Sequence, residues 1–471
     1  MQDPQVLEDG GYKSMGLTKL KLRCSLSSFP HQILDLGDTL QELDLSETGL
    51  SSLPTGLSSA LPHLRVALFS GCNFTIFPKD LASCPNLEEV AFPGNQMLEV
   101  PEQSLPPSLR CLNLTNNLID HLPADIGRCS ELRQCLLSGN VLRDLPDDLA
   151  RCAKLQVLRL SLNDLRRLPD RLFALPELAF LSFARNPCAF PVTNGVKAPL
   201  SVAQIDWADV EVGDILNRTD SSTTSQGLWK QSPHYAEEVV VKILHGALTE
   251  SGAPADEMTA RLVAGPHESL STVLGQIPDH PDDNKGFAFP GGFQGGLVMH
   301  SVPSCYAPLA RPPTITGSGP VDSVTEGMDL TAACAVSMLT GLAGAAAHIH
   351  GRGIAHGDLS AQSILASRRD EHALLEGFGA ATVYGRGHTQ GPSIERVEVL
   401  AFAHLVEYML GLLVGESDDG ADELRGELEK LHAKCSSAEV QARPTFEEIA
   451  ETLEDMMGWR GMMRIPLVVP R

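Results

Sequence analysis

A short polar stretch near residue 358 has the residue types that acid and base chemistry requires. His356-Gly357-Asp358-Leu359 places an imidazole and a carboxylate two residues apart, and Ser363 follows them. A carboxylate held in this way could orient a hydroxyl group and accept its proton. The same spacing is common in simple turns, because aspartate bonds readily to its own backbone. These residues alone leave catalysis and turn structure both open, so the elements around them have to be considered.

The segments around this stretch follow one another in a characteristic order. Residues 331–350 carry apolar side chains at the spacing of one helical face and predict a buried helix. Residues 373–376 predict a short strand before a Gly-Phe-Gly motif at 377–379, and residues 399–414 predict a second apolar helix. An Arg-Pro-Thr motif at 443–445 opens a last helix. This order resembles the C-terminal part of a protein kinase, and its H-G-D-L and V-E-V-x-A-F motifs are similar to those of a divergent group of leucine-rich-repeat kinases.

The resemblance covers residues 205–460 and implies an α+β two-lobed domain that binds ATP and Mg²⁺. In this family a lysine on a β-branched strand contacts the α- and β-phosphates, and Lys242 matches it. Glu257, near the start of the next helix, matches the acid that pairs with this lysine, and Met299 lies on the strand beside the nucleotide base. The residues leave simpler readings open, since Lys242 could point outward from an edge strand. Glu257 could be an ordinary first-turn acid, favoured by the helix dipole.

The catalytic loop keeps its base but lacks the usual metal ligands. Asp358 matches the aspartate that accepts the proton of the substrate hydroxyl. Ser363 stands where the family has a metal-binding asparagine, and Gly377 stands where it has a metal-binding aspartate. Glycine offers no ligand to Mg²⁺, so the metal would depend on Ser363 and on the neighbouring Glu376, which could reach inward if the strand end shifts.

The segment expected to cover the ATP phosphates is also altered. Kinases use a glycine-rich turn there, because residues without a Cβ let backbone amides approach the phosphate oxygens. Residues 215–227 keep only Gly227 and are otherwise rich in serine and threonine. The resemblance therefore implies ATP-dependent phosphorylation of protein Ser/Thr with weak or absent catalysis. The alternative is a pseudokinase signalling scaffold that binds a protein partner through its repeats.

The first 190 residues form a repeat array with the pattern L-x-x-L-x-L-x-x-N/C-x-L-x-x-L-P. This pattern is that of leucine-rich repeats, in which stacked units bury one another's leucines. We therefore predict an α/β leucine-rich-repeat solenoid of about eight repeats, followed by the kinase-like domain. The units begin at Leu17, Leu40, Leu64, Leu87, Leu109, Leu132, Leu155 and Leu178.

The positions that alternate with the strand leucines are where the array would meet a protein partner. Examples are Glu42 and Asp44 in one repeat, and Val157 and Arg159 in another. These side chains should face the concave side of the solenoid, because successive strand residues point to opposite faces. The leucine and asparagine positions that recur in each repeat are expected to be structural.

Composition narrows the class of protein further. The chain has a formal net charge of −23, and its sequence contains no basic stripe. Both features argue against nucleic acid or an anionic membrane as the main partner. The same acidity could simply keep the protein soluble. No signal-peptide pattern and no membrane span are recognised, and the odd number of cysteines, 11, indicates free thiols. We therefore expect a cytoplasmic protein.

The predicted domain organisation follows from where the leucine period stops. An N-terminal tail precedes the repeats, a short linker follows them, and a C-terminal tail follows the kinase-like domain. The boundaries are 1–16 for the first tail, 17–190 for the repeats, 191–204 for the linker, 205–460 for the kinase-like domain and 461–471 for the last tail.

Overall fold

The computed structural model of the protein consists of two compact units. One comprises Met1–Cys188 together with Glu250–Gly252, and the other comprises Ala189–Thr249 and Ala253–Arg471. The structure describes residues 13–189, 202–219, 221–246, 248–280, 292–311, 323–324, 328–414 and 419–463. Most of the two tails predicted at 1–16 and 461–471, and residues 191–201 of the predicted linker, therefore lie outside the described residues.

The repeat unit contains a parallel sheet of eight short strands in sequential order, which confirms the predicted leucine-rich-repeat solenoid. Each strand has three residues, and its central residue is buried, as the leucine pattern requires. The strands are β1 Lys19–Lys21, β2 Glu42–Asp44, β3 Val66–Leu68, β4 Glu89–Ala91, β5 Cys111–Asn113, β6 Gln134–Leu136, β7 Val157–Arg159 and β8 Phe180–Ser182.

The segments that return from one strand to the next are mostly 3₁₀ turns rather than α-helices. Most of them follow a proline whose φ of about −65° leads into a tight turn. The one α-helix among the described residues of this unit, α1, spans only Leu57–Ala60. The 3₁₀ turns are Lys13–Met15, His31–Leu36, Lys79–Ser83, Ala124–Arg128, Asp147–Arg151 and Asp170–Ala174.

Buried asparagines join neighbouring repeats in the way the sequence pattern predicts. The amide of Asn140 donates to the carbonyl oxygens of Leu114 and Leu137, both at 2.9 Å, and its Oδ1 accepts from Ile119 N at 3.1 Å. Cys72 takes the equivalent place in one repeat, where its thiol donates to Leu45 O at 3.3 Å. Each bond satisfies a backbone group that the turn would otherwise bury unpaired.

The second unit is built on a six-stranded sheet in the order β10-β11-β12-β14-β13-β9, antiparallel except for the parallel pair β13 and β9. Its central strand β12 contains the β-branched run Val239–Ile243, which packs against both neighbours. The strands are β9 Ala203–Gln204, β10 Val210–Arg218, β11 Ser222–Ser232, β12 Tyr235–His245, β13 Val273–Ile277 and β14 Phe293–His300.

Five helices and several short strand pairs complete the described part of this unit. The helices predicted at 331–350, 399–414 and after 443–445 are all present, although the second begins earlier than predicted. The helices are α2 Pro254–Ala264, α3 Ala332–His350, α4 Gly391–Gly411, α5 Asp419–Cys435 and α6 Phe446–Met463. The short strands are β15 Ala307–Pro308, β16 Ala310–Arg311, β17 Ser323–Val324, β18 Ile354–Ala355, β19 Ile364–Ser367, β20 His372–Leu375 and β21 Thr382–Val383. Its 3₁₀ turns are Trp207–Asp209, Ala361–Ser363, Phe378–Ala380 and Val440–Ala442.

Helix α3 is the one described helix with the length and mean hydropathy of a membrane span. Its mean hydropathy is 1.5, and 67% of the apolar window is buried inside the protein. Core helices of soluble proteins share these properties, so length and composition alone do not assign it to a membrane. In this fold α3 packs against α6 and strand β20.

Candidate functional site

A buried ion pair joins strand β12 to helix α2. Lys242 Nζ lies 2.5 Å from Glu257 Oε1, and the two side chains are 14% and 7% exposed. Pro254 occupies the first turn of α2, and Asp256 accepts from the backbone N–H of Ala253, so the start of the helix is well defined. The sequence-predicted pair is therefore brought together, and Lys242 is a largely buried residue of an inner strand, not an exposed residue of an edge strand.

The charges around Glu257 keep it ionised in spite of its burial. Burial alone would raise the pKa of this carboxyl, but the positive charges of Lys242 and Arg261 outweigh that effect and lower its pKa to about 2. Glu257 is therefore a carboxylate across the whole physiological range.

Arg261 is the residue of this site that sequence reasoning missed. It lies one turn after Glu257 on α2, and its Nε donates to Glu257 Oε1 at 3.0 Å. Its Nη2 donates to Glu376 Oε2 at 2.6 Å, and the guanidinium lies 4.9 Å from the centre of the Phe378 ring. The side chain is only 3% exposed. The signal available in the sequence was the i,i+4 spacing of Glu257 and Arg261, which is typical of a helical ion pair.

The His-Gly-Asp loop is held by a carboxylate on helix α4. Glu398 accepts hydrogen bonds from the backbone N–H of His356, at 3.0 Å, and of Gly357. The same carboxylate lies 2.7 Å from His350 Nε2 at the end of helix α3. Burial would raise the pKa of Glu398, but the hydrogen bond and charge of His350 outweigh it, so the net shift is downward. The loop backbone is therefore fixed by a buried anion.

His356 has a structural place in this loop. Its Nε2 donates to Glu376 O at 2.7 Å, and its Nδ1 accepts from Asp358 N at 3.3 Å. Burial lowers the pKa of the ring, which leaves the neutral tautomer that these two bonds require. The ring also meets Phe378 edge-on, with the centroids 4.9 Å apart. Asp358, the predicted base, lies two residues further along the chain and is partly buried.

The predicted metal positions do not fit a divalent cation. The hydroxyl of Ser363 donates to Asp358 O at 2.8 Å, and one carboxylate oxygen of Glu376 is occupied by Arg261. The other, Oε1, is buried and accepts no hydrogen bond within the described residues. A single free carboxylate oxygen beside a guanidinium is a poor site for Mg²⁺, which binds carboxylates and keeps several waters.

Gly377 cannot simply be exchanged for the missing aspartate. Its φ is +76°, and a Cβ added there would lie 2.6 Å from Ser363 Oγ. The glycine is therefore packed against the serine that replaces the family's asparagine. The two departures from the kinase pattern fit each other in space.

Gly227 does not lie in the turn where the sequence placed it. Strand β10 ends at Arg218 and β11 begins at Ser222, so the turn that joins them precedes β11. Gly227 instead lies in the middle of β11, opposite Val239 on β12. A Cβ at Gly227 would lie 2.7 Å from Val241 Cγ2, so this glycine serves close strand packing. The turn itself is closed by hydroxyl groups, since Thr219 Oγ1 accepts from the backbone N–H of Ser222 at 3.0 Å. The prediction that Gly227 belongs to a phosphate-covering turn is therefore wrong.

Met299 lies on β14, directly opposite Val240 on β12, and is 4% exposed. It packs in an apolar cluster with Val240, Leu262 and Leu297. Its sulfur lies 4.0 Å from Arg261 Nη1. The structure thus places Met299 on the same side of the sheet as the ion pair of Lys242.

On the repeat unit, several predicted partner-facing residues are already engaged. Glu42 lies 2.7 Å from Lys19 Nζ in the preceding repeat, and Asp44 pairs with Lys21 and accepts from Ser46 N at 3.0 Å. Asp44 is buried, so it does not face solvent as expected, and Arg159 is also buried. Ion pairs between adjacent repeats thus use part of the concave face to stabilise the stack.

Comparison with known proteins supports the repeat unit. No family model matches the chain. It is 33% identical over 115 residues to the volume-regulated anion channel subunit LRRC8B of Mus musculus, covering 24% of this chain and 14% of that protein. It is 33% identical over 136 residues to the subunit LRRC8A of Homo sapiens, covering 28% and 17%. The chain thus spans a small part of the length of these relatives.

A solved structure is also similar to part of the chain. A leucine-rich-repeat protein of Leptospira interrogans is 25% identical, with a TM-score of 0.35, and the match covers 37% of this chain and 45% of that one. The repeat sequence, the eight-stranded sheet and the channel-subunit similarity together identify the first unit as leucine-rich repeats.

Proposed function

We propose that this chain is a leucine-rich-repeat interaction protein whose second unit is a kinase-like domain without metal-dependent phosphoryl transfer. The observation that carries the proposal is the state of the metal positions. Gly377 offers no ligand, the Ser363 hydroxyl is bonded to the backbone, and Glu376 is paired with Arg261. Phosphoryl transfer in kinases depends on metal ions that bridge the phosphates and neutralise the developing charge.

Three contacts support the kinase-like assignment of the second unit. A lysine on a central strand pairs with a glutamate on the next helix, as Lys242 and Glu257 do. The His-x-Asp backbone is held by a buried carboxylate from a later helix, here Glu398. The ring of Phe378 packs on His356. These contacts involve the residues that the sequence motif singled out, and a chance pair of turns would not produce all three.

The repeats are the part through which we propose that a protein partner binds. Solenoids of this kind present a long curved surface, which suits recognition of another protein. Exposed apolar side chains recur in four successive repeats, and we propose that the partner contacts them, since large exposed apolar patches are typical of interaction sites. They are Ile76, Leu98, Leu118 and Val141.

A working Ser/Thr kinase is the second candidate function. It is favoured by the intact pair of Lys242 and Glu257 and by Asp358, the matched base. In that case Lys242 would position ATP, and Asp358 would orient the acceptor hydroxyl. This candidate requires a metal ligand set that differs from the family's.

A phosphoryl-transfer assay separates the two functions. The full chain is incubated with γ-labelled ATP and Mg²⁺, alone and with a general protein substrate, and compared with the Asp358→Asn variant. Under our proposal the two proteins incorporate the same background label. Label that depends on Asp358 would establish the kinase and rule out the scaffold proposal.

A further inference from the structure

Four charged side chains of the second unit form one continuous row. Lys242 contacts Glu257 at 2.5 Å, Glu257 contacts Arg261 at 3.0 Å, and Arg261 contacts Glu376 at 2.6 Å. The charges alternate in sign, and their sum is zero. The row runs from strand β12 through helix α2 to the residue that follows strand β20.

Arg261 is the central cation of this row. It is 3% exposed, and it contacts two carboxylates and the face of the Phe378 ring. Removing charges from water is expensive, so a buried guanidinium persists only where its partners are well placed. The charges of Glu376 and Glu257 raise the pKa of Arg261 although burial opposes them. Its positive charge is therefore permanent.

The place of Arg261 beside Glu376 bears on the missing metal. Glu376 directly precedes the Gly377-Phe378-Gly379 motif, and its carboxylate is the nearest replacement for the aspartate that this motif lacks. A divalent cation at Glu376 would have to approach a guanidinium whose Nη2 lies 2.6 Å from the same carboxylate. Like charges at such separations repel strongly in a buried site.

We propose that Arg261 is a built-in cation that takes the place of a divalent metal at Glu376, holding helix α2 to the end of strand β20 without metal or nucleotide. Its reference to a metal position rests on the proposed kinase-like assignment. The guanidinium supplies the positive charge that a metal would supply, and its planar donors reach both Glu257 and Glu376. The arrangement of α2 is then a fixed property of the fold and does not depend on a ligand.

If Arg261 is exchanged for an uncharged residue of similar length, we expect Glu376 to bind a divalent cation from solution instead. In Arg261→Met, Glu257 keeps Lys242, whereas Glu376 loses its cation and has two free carboxylate oxygens. Glu376 Oε1 is already buried and accepts no hydrogen bond within the described residues, so both oxygens of the variant's carboxylate would lack a partner there. Oxygen atoms of this kind are what Mg²⁺ and Mn²⁺ bind.

The test is the thermal unfolding midpoint of the full chain, freed of metal with a chelator and then titrated with Mg²⁺ or Mn²⁺ alone. We expect no shift in the wild type and a rise of about 2–5 °C in Arg261→Met at saturating metal. Arg425→Met is the matched control, because Arg425 forms an exposed pair with Glu429 and the change in net charge is the same. This control should not respond.

Two results would overturn the proposal, namely a metal-dependent rise in the wild type or no rise in folded Arg261→Met. If Arg261→Met does not fold, Glu376→Gln replaces it, measured by hydrogen exchange of α2. The proposal requires faster exchange there without metal, and unchanged exchange contradicts it. Kinase activity in the transfer assay would refute the proposed function but would leave these metal and exchange results to decide the role of Arg261.

Discussion

Glu257 accepts from Lys242 Nζ at 2.5 Å and from Arg261 Nε at 3.0 Å, and its side chain is 7% exposed. Loss of either Lys242 or Arg261 should destabilise the fold, because the negative charge of Glu257 would stay buried with one partner fewer. The effect of proton binding can be worked out from its pKa. This makes Glu257 the residue at which the electrostatic account of the site is most easily tested.

We expect the contribution of Glu257 to stability to disappear in acid. Its pKa is about 2 in the folded protein and 4.5 ordinarily, so the unfolded chain binds the proton first. The stabilisation is complete above about pH 4.5 and is lost progressively as the pH falls toward about 2. The measurement is the free energy of unfolding of the wild type and Glu257→Gln from about pH 6 to about pH 3, followed by tryptophan fluorescence.

All three tryptophans, Trp207, Trp229 and Trp459, belong to the second unit, so this signal reports the unit that contains Glu257. The difference between the two proteins should shrink as the pH falls. A difference that stays constant would contradict the assigned pKa. Exposed Glu429→Gln serves as the control, and it should differ little from the wild type at any pH.

The contact of Lys242 with Glu257 could be predicted through the resemblance to protein kinases, in which a lysine on a β-branched strand pairs with an acid on the next helix. The residues alone left other positions open for both side chains. The part played by Arg261 could not be predicted. Its partner Glu376 lies 115 residues away, and only the fold brings them together. The sequence also suggested Glu376 as a metal ligand. Its pairing with Arg261 could not be foreseen, because the sequence does not show that α2 lies beside the end of β20.

Helix α4 organises the catalytic-type loop through a single side chain. Glu398 is 2% exposed, and it binds the backbone N–H groups of His356 and Gly357 as well as His350. Two backbone donors directed at one carboxylate form a strong, charge-assisted site. The geometry of the loop therefore depends on an element that follows it by about 40 residues in the sequence.

We expect Glu398→Gln to loosen this loop. The amide would present N–H groups to backbone donors that need an acceptor, so at least one hydrogen bond is lost. Hydrogen exchange at His356 and Gly357 should become at least about tenfold faster, corresponding to a loss of about 1.4 kcal/mol or more. Mass spectrometry of peptides covering this loop gives the measurement.

Glu407→Gln provides the control for this change, because Glu407 is an exposed residue of the same helix. It should leave the loop unaffected. Unchanged exchange at His356 in the Glu398→Gln variant would show that the carboxylate does not hold the loop.

In the repeat unit, each element depends on its neighbour through the buried asparagines. We expect Asn140→Ala to lower the free energy of unfolding of the repeats by about 3 kcal/mol. Three hydrogen bonds to backbone groups are lost, and those groups stay buried. The measurement is hydrogen exchange of strands β5 and β6. Asn116→Gly is a suitable control, since Asn116 is exposed and has a φ of 56°, a conformation that glycine adopts freely.

Full protection of β5 and β6 in Asn140→Ala would contradict the structural role of the asparagines.

The strands, the asparagine ladder and the number of repeats could all be predicted from the period of the leucines. The 3₁₀ form of the return segments could not, because it depends on how tightly each proline-led turn, such as 147–151, closes on its neighbours.

At the scale of the whole molecule, the chain combines a repeat unit of known class with a second unit whose kinase-like character we propose. The repeats can be recognised from the sequence because each of them buries leucines at the same positions, so the pattern recurs. The second unit has only one copy of each motif, and its altered positions, Ser363 and Gly377, acquire meaning through contact with each other. Gly227 illustrates the same limit, because a glycine that serves strand packing looks like part of a phosphate turn in sequence.

The central claim is that the second unit has lost its metal site, and ATP binding by the full chain tests it most directly. Labelled ATP is titrated at equilibrium in the presence of Mg²⁺ and again in the presence of a chelator. Our account predicts that Mg²⁺ makes no difference, whether the affinity for ATP is measurable or absent. Binding that needs Mg²⁺ would mean that a carboxylate still holds the metal, and it would contradict the account.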